Sequence, residues 1–484
     1  MKKLPAILAA AALSLTLAAC GGGVGDALPD DTSTITDGPS PSPSDTETAT
    51  DGPTTPDPDA EPQVWDAATS TMTLTNAKLS KELKIDGDEV TLKLVGDNEI
   101  TVDSTTADSV YGVRADGNLK IEGDGNLTIK VHSTQGNTGG VSANRSTIDI
   151  GKDSTISIDS SSDKKSARGI WTAWGVNLTS GTIDLKAATT SPEHPTFAVF
   201  ADKGHINVDK DFTLKGSLTG TNNGGDILYA QNGNVRINGK IDLAMKAPGS
   251  MIGVRAGEGI EVGDGADVKF DLESTDSWVY GMAAYNADLN VKNAKVDLTL
   301  TGLTQVGGIA PGKGMTLDGM DLTAKITSTS PTETKHESKD AAGKTTLVID
   351  RVYAIVGWDG SQIKNSNLNI DVKSGGNEAY GLYSFRPLTL SDTKVQINVN
   401  AAPGYAFGIA GMYENTSGTG SKTALTLKSV SGPVTTSNMA ILSYGDMVLD
   451  KTSDANGKTV KTDQNGTTFY DSKGMAYDLE LQAK

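Results

Sequence analysis

Six aromatic residues carry the clearest chemical signal in this chain: Trp174, Tyr285, Trp358, Phe385, Tyr413 and Tyr444. Each follows by four or five positions a small residue that itself recurs through the sequence. Those markers are Gly112, Gly140, Gly169, Ala198, Ile227, Gly253, Gly281, Gly308, Ala354, Gly381, Gly408 and Ala440. Aromatic faces stack on sugar rings. A ladder of rings at the spacing of stacked β-coils, about 4.8 Å, would suit a polysaccharide chain. The alternative use is structural, with rings folded over a corner to cover core atoms. Either use needs a scaffold that brings residues far apart in sequence into one line.

Other chemistry is thinly supplied. The four histidines, His132, His194, His205 and His336, form neither HxxxH nor HExxH, which argues against a zinc site. No GxSxG elbow occurs. Free Ser and Asp are so numerous that a Ser-His-Asp pairing carries no information. Gly257-Glu258-Gly259 lacks the lysine and following helix of a phosphate cradle. Asp463-Gln464-Asn465-Gly466 with Asp471 has part of a Ca²⁺ loop, but Gly474 stands where the bidentate Glu belongs, so a turn is the better reading. Ca²⁺ is therefore only a weak expectation; no cofactor is expected. Asp116 and Asp202 fall in equivalent turns three coils apart, about 14 Å, too far to act together. Arg114 and Arg255 share a column five coils apart, and Arg168 stands alone by the same reckoning. No catalytic residue is assigned.

The scaffold is legible in the marker spacing. Successive markers lie 26 to 32 residues apart, with one interval of 46. A fixed period repeated this often is the signature of a solenoid. The residue after each marker is apolar: Val113, Val141, Ile170, Val199, Leu228, Val254, Met282, Ile309, Ile355, Leu382, Ile409 and Ile441. Two positions on, alanine recurs at Ala115, Ala143, Ala201, Ala230, Ala256 and Ala284. Strand alternation puts these two columns inside and the marker outside. The rings before the marker, Tyr111, Phe197, Tyr280, Tyr353, Tyr380 and Phe407, are expected to alternate inward into the core. Turns such as Asp116-Gly117 and Asn232-Gly233 follow, then two further alternating runs. Each unit thus supplies about three short strands. The fold expected is all-β, a single parallel β-helix of about thirteen coils of 27–29 residues. It should be right-handed, because parallel crossovers nearly always are. Glycine at 55 of 484 residues and scarce aromatics agree with strands joined by tight turns.

The rest of the chain surrounds this solenoid. Residues 64–449 hold the repeats, residues 327–351 are an excursion thrown off one corner, and residues 450–484 read as a hairpin cap with two Asn-Gly turns. Residues 21–63 are rich in Thr, Pro and Asp, and are expected to be a disordered spacer. At about 3.1 Å per residue it could reach on the order of 100 Å. The formal charge of −18 leaves no basic patch for nucleic acid. A monomer is expected.

Two resemblances extend this reading. Met1-Lys2-Lys3, the apolar run to Leu17 and the closing Leu17-Ala18-Ala19-Cys20 resemble a bacterial lipoprotein signal over residues 1–20. The resemblance implies cleavage before Cys20, lipid on its thiol and a membrane anchor outside the cytoplasm. It also accounts for the single cysteine, which excludes an internal disulfide. Units such as YGVRADGNLKIEGDGNLTIKV (111–131) resemble the β-helix repeats of bacterial cell-surface proteins, described as carbohydrate-binding or adhesin-like. The pectate-lyase-like enzymes are similar by architecture. These resemblances imply an anchored surface module for binding or adhesion, with a glycan as ligand. A polysaccharide lyase or glycoside hydrolase, and a structural envelope protein without ligand, are the alternatives.

Overall fold

The computed structural model describes residues 63–221, 224–339, 345–358, 360–401, 404–411, 423–443, 446–454, 460–462, 468–470 and 477–483. Cys20, the leader and spacer up to residue 62, Tyr413, Tyr444 and the Asp463–Gly466 turn lie outside these residues. The described chain is all-β, a parallel solenoid of about 12 turns. The register shows why the period is so regular. Leu83, Val113, Val141, Ile170, Val199, Leu228, Val254, Met282, Ile309, Ile355, Leu382, Ile409 and Ile441 are successive lateral neighbours in one parallel sheet. Each coil adds one apolar rung to a continuous core of mainly Leu, Ile, Val and Ala, in which Phe212 and Phe270 are the only rings among the described residues. The Ala115 column is buried in the same core.

Two more parallel sheets complete each coil. The third strand of the coil alternates strictly. In Asp267–Ser274, Val268, Phe270 and Leu272 are buried while Lys269 and Asp271 are exposed. Its outer face carries alternating charge laterally, as in the column Asp184, Lys215, Asp242, Lys269 and Asp297. Lys215 lies 3.4 Å from Asp184 and Lys269 lies 3.0 Å from Asp242. Such exposed pairs contribute little individually. They do satisfy like-charge spacing along a stack that would otherwise repel.

The first strand of the coil behaves differently. In Val279–Ala284 every residue is buried. The marker position explains how. Lateral pairing runs Tyr280 with Gly307 and Met282 with Ile309, passing over Gly281. A Cβ placed on Gly281 would lie 2.6 Å from the Gly308 carbonyl oxygen and 3.0 Å from Leu298 of the core. The markers therefore face inward, and Ala198, Ile227, Ala354 and Ala440 at this position belong to the core. This corrects the expectation that they point out. Every marked strand of this sheet carries the same irregularity at the marker, so two consecutive residues face in and simple alternation is broken. The same step reverses the rings before the marker. Tyr280, Tyr353, Tyr380 and Phe407 are buried, but in a cluster on the outer side of the sheet, separate from the core. Phe197 belongs to a second outer cluster. These rings are covered by one another and by their neighbours, not by the solenoid interior.

The excursion forms a hairpin, with Lys335–Lys339 paired antiparallel to Thr345–Ile349. Its base is tied down by Asn377, whose Oδ1 accepts from the Thr334 amide at 2.8 Å. Both ends of the stack turn antiparallel. Gln63–Asp66 pairs with Thr71–Thr75, and Tyr477–Ala483 pairs with Gly432–Thr436 and Thr452–Asp454.

Candidate functional site: the outer face of the first sheet

Two side-chain columns pave the outer side of the first sheet. The first, just before the marker, runs Tyr111, Gly139, Arg168, Phe197, Asp226, Ile252, Tyr280, Gly307, Tyr353, Tyr380, Phe407 and Met439. The second, two residues after the marker, begins Arg114, Ser142, Trp171, Phe200, Tyr229 and Arg255. Four of the five tryptophans, Trp171, Trp174, Trp278 and Trp358, lie on this face or in the corner that borders it. The aromatic residues are thus segregated from the aliphatic core, which needs almost none of them.

The rings form two groups. Phe197, Phe200 and Tyr229 pack together with Trp171, with Phe200 edge-on to Tyr229 at 5.3 Å. Farther along, Tyr280 and Tyr353 fold over Gly307 from either side, and their hydroxyls meet at 3.3 Å. A Cβ at Gly307 would lie 2.6 Å from both rings, so only glycine leaves room for this pairing. Tyr380 stacks on Phe407 at 5.1 Å. Burial pushes the Tyr280 and Tyr353 phenols well above their ordinary range and raises Tyr383 to about 12.

Charged groups on this face are enclosed among the rings. The Arg255 guanidinium lies between the Tyr229 and Tyr285 rings, 4.6 Å from each, and 3.7 Å from the Asp226 carboxylate. Arg351 donates through Nε to Glu378 at 3.3 Å, and the Tyr380 hydroxyl donates to the same carboxylate oxygen at 2.9 Å. Burial works against the Arg351 charge, but Tyr383, Tyr380 and Glu378 outweigh it and hold the guanidinium above its ordinary value. Asp226 and Glu378 are thereby engaged, and they lie five coils apart, about 24 Å along the axis.

The corner residues singled out in the sequence divide. Trp174 is 53 % exposed, with Lys203 Nζ 5.5 Å from its ring centre. Tyr285, Trp358 and Phe385 are half-buried. Tyr285 is engaged by Arg255, and Trp358 stacks on Phe385 at 4.1 Å with 20° between planes. These two rings thus use a face on each other. The residues that sequence reasoning passed over are Trp171, Phe200, Tyr229, Trp278, Tyr383 and the Arg351–Glu378 pair. Aligning the units on the marker and reading two positions after it would have shown most of them.

On the third sheet, His132 Nδ1 lies 3.0 Å from Ser161 Oγ and its Nε2 lies 3.9 Å from Asp163. The three sit on an open face where neighbouring amides are spent in the coil-to-coil bonding, as Asp163 N is on Ser133 O. Among the described residues no group of three or more His, Cys, Asp or Glu could hold a metal ion. No family model, curated protein or solved structure matches this chain.

Proposed function

We propose that this chain is a lipid-anchored surface module that binds carbohydrate along the outer face of its first sheet. The observation that carries the reading is the segregation of aromatic residues. Four of five tryptophans line one face and its corner, while the core is aliphatic. A stack of coils needs no outer aromatic layer to hold together, as the charged third face demonstrates. Trp174, the most open ring on this face, offers flat apolar area to the face of a sugar ring. Asp226 and Glu378 on this face are engaged by arginine, which favours binding over a lyase or hydrolase using them as a free carboxylate pair. Cys20 supplies the membrane partner, and the spacer carries the solenoid away from the bilayer.

The test is retention on insoluble polysaccharides and a glycan array, comparing the native chain with Trp174→Ala. Binding that weakens in the variant supports the reading. A blank array together with unaltered cell attachment by the variant defeats it.

A further inference from the structure

The first coils of the outer face hold a buried charge without a counter-ion. Arg168 is 4 % exposed, and its Nε and Nη1 have no hydrogen-bond partner among the described residues. Burial depresses its proton affinity, and the Tyr111 hydroxyl is the group that opposes this. A guanidinium taken out of water is costly unless paired. A neutral phenol is a poor substitute for an anion.

The surroundings suggest what the arginine is held for. Arg168 follows Gly139 in its column, and Ser142 lies on the Gly139 strand in the neighbouring column. That coil has only small side chains on this face. The space above Gly139 is filled by the Tyr111 ring, which would lie 2.7 Å from a Cβ placed there. Lys84 pairs laterally with Arg114, and Arg114 with Ser142 in the neighbouring column, which adds positive charge at this end. Glu82 is the nearby carboxylate, and burial pushes it toward its neutral form. Trp171 and Trp174 lie on the same strand as Arg168, within the segment Ala167–Thr189.

We propose that Arg168 receives a carboxylate or sulfate group of the bound glycan, with Tyr111 as the displaceable plug and the Trp171–Trp174 edge as the stacking surface. This rests on the carbohydrate-binding reading and narrows it to acidic glycans. The oxyanion would exchange its hydration for charge-assisted hydrogen bonds to nitrogens that otherwise have none. The incoming group displaces a neutral hydroxyl, so no charge has to be moved out of the site.

The experiment uses the full chain and its variants Arg168→Gln, Tyr111→Ala and Trp174→Ala. Binding is measured by titration calorimetry with an oligouronate, a sulfated oligosaccharide and a neutral oligosaccharide of equal length. The native chain should bind at least one acidic ligand ten-fold or more tightly than the neutral one. Arg168→Gln should abolish that preference, while Trp174→Ala weakens acidic and neutral ligands alike. Tyr111→Ala should raise acidic-ligand affinity several-fold. The carboxylate and sulfate arms show which group is preferred. Equal binding of acidic and neutral ligands, or a preference that survives Arg168→Gln, overturns the inference while the binding module stands. Failure of all three ligands defeats both. Thermal melting of Arg168→Gln controls for folding, and Arg168→Met gives a second variant without the charge.

Discussion

Arg168 and Arg351 are both buried on the outer side of the same sheet, at opposite ends of the stack, and they differ in company. Arg351 has Glu378 at 3.3 Å and a Tyr383 ring centre 5.7 Å from its guanidinium carbon. Arg168 has a neighbouring phenol and two unpartnered nitrogens. The two ends therefore use one residue type for different purposes. At the C-terminal end the cation is a structural element, closed into a network with its carboxylate and hydroxyls. At the N-terminal end the buried cation has only a phenol beside it among the described residues. Such a cation on an aromatic face is the physical reason to look for a ligand there.

The comparison can be broken by mutation. Glu378→Ala leaves Arg351 buried without its partner and should destabilise the protein by about 3–5 kcal/mol, read from urea or thermal unfolding. A loss below about 1 kcal/mol would mean that the tyrosines alone carry Arg351 and that the two arginines are alike. Arg168→Met should go the other way, neutral or stabilising by roughly 1–4 kcal/mol, because it removes a buried charge and frees only a neutral phenol. Marked destabilisation would show that Arg168 is satisfied in the fold.

The C-terminal network also sets a pH limit. Tyr383 holds its proton to about 12 in the fold, against an ordinary value of 10.0. The folded state therefore binds protons more tightly than the unfolded one. That contribution is complete below pH 10 and is lost as pH rises from about 10 to 12. Alkaline melts should show a cooperative fall of about 2–3 kcal/mol in this window from Tyr383. Tyr383→Phe should flatten it, and an unchanged slope would place the alkaline sensitivity elsewhere. The smallest stability effect is expected at Trp174→Ala, within about 0.5 kcal/mol, since the ring is exposed. Glycan binding should nevertheless weaken by at least about 1 kcal/mol. A large drop in stability instead would make Trp174 a packing residue.

Much of the scaffold was readable from residue types alone. The column from Val113 to Ile441 and the alanines two positions on mark the core, because every coil must bury the same position against its neighbours. The excursion was legible as a break in the period; Lys335–Lys339 and Thr345–Ile349 pair as a hairpin within it, while Thr327, Ser328 and Arg351 at its expected bounds belong to the parallel sheet. The direction of the rings beside the marker was not legible. Period-2 counting assumes an unbroken pleat, and the irregularity at the marker turns Tyr280 and its equivalents outward. Corner rings such as Trp358 and Phe385 were recognised as a series, but their stacking on each other depends on how adjacent coils superpose.

The sequence by itself determined the repeat, its period, the aliphatic core and the all-β class. These follow from local alternation and from one position recurring in every coil. Tertiary structure alone decided which side of the first sheet the aromatic residues occupy. It alone decided that Arg351 meets Glu378, 27 residues away, while Arg168 Nε and Nη1 meet no hydrogen-bond partner among the described residues. Lateral partners in a solenoid are a whole coil apart in sequence. A charge is compensated or left waiting only when the coils are stacked in register.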